Sequence, residues 1–392
     1  MTMSRPSPRS QLPTRRIDAV RQLLDPRLLR DSIALGAQPW QRIGAIAGLQ
    51  AALTVGIALP LVHLSPWSGL IGYASLGALV ALFGRFAPAR RRNWIVLQAA
   101  LCQVLAVFCM SLAAWAGAGP LMLLALLGVA CGIFFFVSVT CRFGPPGALI
   151  FAFAAGAGAV PAATFADVLH RSLATAAVAA LALLICALTE RFRDASIENR
   201  PLPVDPMRPL GHRLIAAVRI AAGCALAAFA CHAIGGNHPL WSAMGALAVL
   251  QGAQLHLSLN RAIQRMAGSV GGAVVAWVIL TQDPSLGVIV IALMLLQFGT
   301  ELIIGSNYGL GQVLVTPMAL LMSDLAMPAA GGAAMVPERV LDTILGATIG
   351  LLAAIVLSTL DDREHLARIG AGRGFGQGVD RGRARPDRDR LH

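Results

Sequence analysis

HPLWSAMGALAVL at residues 238–250 and SPWSGLIGYASLGALVALFG at residues 65–84 read as two versions of one pattern. Each has a proline at its second position with a tryptophan one or two residues on, and runs into small apolar residues, so that Leu76-Gly77-Ala78-Leu79-Val80 answers Met244-Gly245-Ala246-Leu247-Ala248. The spacing from Trp67 to Trp241 is also the spacing from Arg91 to Arg265. At a slightly shorter spacing, Arg171 answers Arg339. Similarity at a fixed long period marks a duplicated unit.

Working outward from these stretches, apolar segments recur on both sides. The first set lies near 43–63, 67–84, 94–117, 119–139, 146–165 and 172–190, and the second near 214–234, 239–255, 266–281, 285–303, 309–326 and 339–359. Each approaches the length that spans a bilayer. The chain is 57% hydrophobic and 13% charged with mean hydropathy +0.71, a balance for which lipid is the solvent. The expected fold is an all-α polytopic membrane protein of about 12 transmembrane helices in two parallel six-helix repeats. The first repeat spans 42–190 and the second 213–360, flanked by a cytoplasmic tail (1–41), a cytoplasmic linker (191–212) and a disordered tail (361–392). An even number of spans per copy puts the pseudo-twofold axis along the membrane normal.

Charge sets the orientation. All 31 basic residues are arginine, and in this threading only Arg171 and Arg339 fall on the side away from the termini, leaving 29 (31 − 2) on the other. By the positive-inside rule both termini face the cytoplasm of a cell whose inner membrane holds the protein. The absence of lysine excludes a Walker A ATPase and Schiff-base chemistry. The pI of 10.9 reflects arginines beside apolar segments, which points to anionic lipid rather than nucleic acid. The seven cysteines show no metal spacing, and no HExxH, GxSxG or paired acidic motif points to an enzyme, so no metal or cofactor is expected. The polar first 42 residues lack the short apolar core of a cleavable signal.

In the second half His238-Pro239-Leu240-Trp241 is followed by Asn260-Arg261, Arg265-Met266-Ala267-Gly268 with Gly272, Asn307-Tyr308, Thr316-Pro317, and Glu338-Arg339 with Asp342 and Gly346. This ordered set resembles the fusaric-acid-resistance-like integral membrane transporters, the superfamily that includes the aromatic acid exporters. The resemblance implies efflux of small, aromatic carboxylic anions across a bacterial inner membrane, often with a periplasmic adaptor protein. The first half keeps Trp67, Arg91 and Arg171 but lacks the glycines after Arg91 and the Thr-Pro pair.

Polar groups inside a bilayer are costly unless paired or wet, which makes them functional candidates. Arg265 and Arg339 suit a carboxylate because a guanidinium offers two parallel hydrogen bonds and stays charged, although either can instead snorkel to headgroups. Arg219 lies deeper in its run. Thr316-Pro317 interrupts a helix and frees a backbone carbonyl, and Asn307, Tyr308 and Gln312 share that segment, with Gln251 completing the substrate candidates. Glu301 and Asp342 are the proton-coupling candidates, Asp342 also reading as an intrahelical partner of Arg339. Trp67 and Trp241 read as interfacial belt residues, and Gly268/Gly272 and Gly346/Gly350 as close helix contacts. The expected function is secondary export of organic anions. A passive anion channel and a non-transporting envelope scaffold are the alternatives.

Overall fold

The structure, a computed structural model, describes residues 41–192, 207–252, 255–326 and 332–357. The expected tails and most of the linker lie outside them. Twelve apolar segments are helical. In order they are α1 (Gln41–His63), α2 (Ile71–Ala78, flanked by 3₁₀ turns Ser68–Leu70 and Leu79–Leu82), α3 (Ala89–Trp115), α4 (Pro120–Thr140), α5 (Ala148–Gly158), α6 (Phe165–Thr189), α7 (Leu210–Ala233), α8 (Pro239–Leu250), α9 (Leu255–Leu280), α10 (Leu286–Ile303), α11 (Tyr308–Ala326) and α12 (Met335–Val356). Among the described residues nine are long and apolar enough to cross a membrane. The chain is an all-α polytopic membrane protein.

The remaining three differ from expectation in being short: the α2 region, α5 and α8. Each is stopped by backbone chemistry. The α2 region ends where Phe83 turns extended and Gly84 takes φ +69°, a left-handed conformation that glycine adopts without a Cβ clash. α5 starts after Pro146 and Gly147, and Pro161 keeps it from joining α6, whose start is fixed by a capping box between Thr164 and Asp167. α8 stops at Gln251-Gly252. All three are sheathed by protein: the whole of Ile71–Leu82 and Trp241–Val249 is buried, as are most of the α5 side chains. A helix that other helices surround has no lipid thickness to match. A cluster of Phe83, Phe143 and Phe151 pins the ends of α2 and α5 together, with Phe83 stacked on Phe151 at 5.0 Å.

α9 differs in the opposite sense. It begins at Leu255 rather than 266, so that Arg265 sits about 15 Å along the helix at 1.5 Å per residue.

Packing recurs with a shift of six helices. α2 packs on α6 as α8 packs on α12, α3 on α5 and α6 as α9 on α11 and α12, and α1 on α2 as α7 on α8. The halves meet through α4 on α7 and α10 on α1, and again through α2 on α11 and α8 on α5. Individual residues correspond at the offset that relates Arg171 to Arg339. Gly77 lies against the backbone of Thr175 and Ala179, and Gly245 against that of Thr343 and Ala347. The Arg171 guanidinium lies 5.4 Å from the Tyr73 ring, and that of Arg339 lies 3.7 Å from the Trp241 ring. Tyr73, not Trp67, therefore occupies the place matching Trp241. Trp67 is exposed, whereas Trp241 is buried at 3% exposure and is no belt residue.

Candidate functional site: an arginine-lined cavity

The short helices α2 and α8 stop, and α5 starts, at the same end of the molecule, where α4, α10 and α12 finish and α3, α7, α9 and α11 begin. The space they leave is a cavity of ≈ 1630 Å³. Its lining draws on both halves: Arg85, Arg91 and Arg142 from the first, Arg213, Arg219, Arg261 and Arg265 from the second, and Arg208 from the linker between them. Among the described lining residues the only carboxylate is Glu301. Eight guanidinium groups against one carboxylate, within low-dielectric walls, concentrate a positive potential and draw anions.

Glu301, at the end of α10, is buried and paired with Arg85 at the end of the α2 region, an ion pair that ties the halves together at the cavity floor. Arg265 is 2% exposed on the lining and donates through Nη1 to Gln312 Oε1 at 2.6 Å, while its Nε has no partner. Beyond this pair the polar groups step deeper by one turn per helix: Ser269 after Arg265, Thr316 after Gln312, and Gln297 before Glu301. Ser269 Oγ, Thr316 Oγ1 and both amide atoms of Gln297 are buried without a hydrogen-bond partner. The Thr316 hydroxyl does not bond back to the preceding turn. In the first half a separate network joins α1, α3 and the end of α6: Arg92 pairs with Glu190 at 2.7 Å and with Gln50, which donates to Thr189 at 2.6 Å.

Two comparisons bear on this half. Residues 226–353, which take in the end of α7 and nearly all of α8 to α12, match the family described as fusaric acid resistance protein-like. It is this family that the second half of the chain is similar to. "Uncharacterized membrane protein YvaC" of Bacillus subtilis (strain 168) is 34% identical over 125 residues, which are 32% of this chain and only 20% of that relative. No solved structure matches.

Within the fusaric acid resistance protein-like stretch lie all of the residues singled out from sequence except Arg219. Arg265, Gln251, Tyr308, Gln312 and Glu301 line the cavity, as does Arg219. Asn307 serves the backbone, its Oδ1 accepting from Leu310 N–H at 3.1 Å at the start of α11. Arg339 and Asp342 lie off the cavity wall. They form no ion pair with one another: Arg339 is stacked on Trp241, and Asp342 Oδ1 accepts from the Cys231 thiol at 3.2 Å. Arg339 is 1% exposed, so it does not snorkel. Nor does Arg171 bond to Asp167. It donates to the carbonyls of Val160 and Pro161, both at 2.8 Å. Sequence reasoning gave no site role to Ser269 or Arg85 and misread Trp241. A usable signal was present for Ser269, which stands one turn after Arg265 on the same helical face.

Proposed function

We propose that the chain is an inner-membrane secondary exporter of small organic anions, carboxylates foremost, and that the arginine-lined cavity is its cytoplasmic vestibule. The observation that carries this reading is that, among the described lining residues, arginines outnumber carboxylates eight to one in a cavity large enough for an organic acid. A chloride-sized path would need neither that volume nor the planar forks of arginine. The orientation rests on the arginine distribution, since all eight cavity arginines belong to the side that the positive-inside rule assigns to the cytoplasm. An exporter must capture its cargo from that side.

Away from the cavity the two halves touch in two contacts related by the six-helix shift. Gly72 of α2 presses on Ala326 of α11, and Gly156 of α5 presses on Leu240 of α8. Halves that touch at one end and are parted by a cavity at the other suit a carrier that alternates its access between two halves of common origin. Flux of a radiolabelled aromatic carboxylate should be measured in proteoliposomes with and without an imposed pH gradient. Uphill flux dependent on the gradient supports the exporter, flux that only follows the anion's own electrochemical gradient identifies a channel, and no flux with any carboxylate rejects the transport reading.

A further inference from the structure

We infer that Arg339 and Arg265 form a second, occluded anion site beyond the vestibule, which takes the carboxylate of the cargo from the cavity and which the Trp241 ring covers in this conformation. The inference rests on the export reading for the identity of the cargo, and on independent geometry for the site.

Arg339 is the most isolated buried cation among the described residues. Its Nε and Nη1 have no hydrogen-bond partner, and the face of its guanidinium lies against Trp241 at 3.7 Å. Arg265 is nearly as buried, holds a single neutral partner in Gln312, and sits on α9, which packs along α12, the helix of Arg339. Among the described residues neither forms an ion pair: Glu301 is engaged by Arg85, and Asp342 faces Cys231. Two buried like charges without a counter-ion destabilise a membrane protein unless an anion joins them.

The repeat mate supplies the control. Arg171 also lies over an aromatic ring, that of Tyr73, but its two terminal nitrogens are satisfied by the Val160 and Pro161 carbonyls. One half therefore closes the arginine–aromatic motif with protein acceptors, and the other leaves its donors vacant. The unpartnered hydroxyls of Ser269 and Thr316, one turn beyond Arg265 and Gln312, are likewise able to donate. Two forked guanidinium groups suit an oxyanion with two oxygens, a carboxylate, better than a spherical ion. Since Arg265 lines the cavity and Arg339 does not, the anion meets Arg265 first, and reaching the buried Arg339 requires its surroundings, the Trp241 ring among them, to shift. Cation–π contact with that ring holds the guanidinium meanwhile.

The test is equilibrium binding to the purified full chain in detergent, with acetate, benzoate and inorganic phosphate as probes, read by calorimetry and by tryptophan fluorescence. Saturable carboxylate binding that changes the fluorescence of the wild type but not of Trp241→Phe is expected. Arg339→Gln and Arg265→Gln are each expected to weaken carboxylate binding about tenfold or more, with Arg171→Gln unchanged. Arg339→Lys, which keeps the charge and loses the fork, covers the case in which Arg339→Gln does not fold, and is expected to weaken binding in the same direction. Wild-type affinity in a monodisperse Arg339→Gln or Arg339→Lys variant overturns the site. Tighter binding of phosphate than of either carboxylate overturns the ligand class and points to a lipid headgroup. Binding needs no gradient, so a site that binds in a protein that does not transport would sink the export reading alone, and transport that survives Arg339→Gln with unaltered binding would sink this inference alone.

Discussion

At the residue scale the balance lies between charges that protein groups neutralise and charges that they do not. Arg85 and Glu301 are of the first kind, so Arg85→Gln strands a buried carboxylate and is expected to destabilise the protein by about 3–5 kcal/mol. The double variant Arg85→Gln/Glu301→Gln should recover most of the loss, as read by thermal unfolding in detergent; a double variant no more stable than the single one would show that the pair is not the cause. Arg265 is of the second kind. Transport is expected to fall in the order wild type, Arg265→Lys, Arg265→Gln, with membrane abundance unchanged, because a lysine keeps the charge without the two-pronged geometry. Export by Arg265→Gln at the wild-type rate and normal abundance would reduce the residue to a headgroup anchor. Six of the ten residues singled out from sequence line the cavity, because polar side chains in apolar runs stand out by their cost. Trp241 was not legible. A tryptophan at a helix start has the same sequence signature at a lipid interface as beneath a neighbouring helix, and only the packing of α12 on α8 separates the two.

Elements were legible to the extent that lipid dictates them. The nine long helices have lengths set by bilayer thickness, and their apolar runs announce it. The α2 region, α5 and α8 answer instead to surrounding helices, so only the glycines and prolines at their ends, Gly84, Pro146-Gly147, Pro161 and Gly252, and not their apolar runs, signal the early stops. Yet these early stops make the vestibule. Enclosing them demands close packing at small residues: a Cβ on Gly346 of α12 would run into the Ser242 carbonyl of α8. Gly346→Val should therefore prevent assembly of the α8–α12 seam and leave little monodisperse protein by fluorescence-detected size exclusion. Gly119→Ala, at a start of α4 with open space around it, should be silent. Normal yield of Gly346→Val would mean that the seam yields more readily than its spacing suggests.

For the whole molecule, the repeat period was readable at Arg171 and Arg339, while Trp67 misled because the true mate of Trp241 is Tyr73. A short insertion before an apolar run leaves the local pattern intact and shifts only the count. The proposed orientation is open to direct measurement. In a cysteine-free background, Gly211→Cys at the start of α7 should react with an impermeant thiol reagent only from the cytoplasmic side, and Gly287→Cys at the start of α10 only from the outside, both sites having no close neighbours. The reverse pattern would invert the vestibule and turn an exporter into an importer.

The seam between α1 and α10 also bears on how the protein is made. Gly44 and Gly48 of α1 press against Glu301 and Phe298, so the two sides of this contact lie about 250 residues apart along the chain. At ~5–20 residues per second a ribosome takes about 12–50 s to travel from the one to the other. During that interval the first helix sits in the membrane with its glycine face uncovered. Whatever occupies that face in the meantime, lipid or an insertion chaperone, must leave when α10 arrives. Nascent chains halted before α10 should accordingly be the form most prone to quality-control proteolysis, and chains halted just after it should be spared.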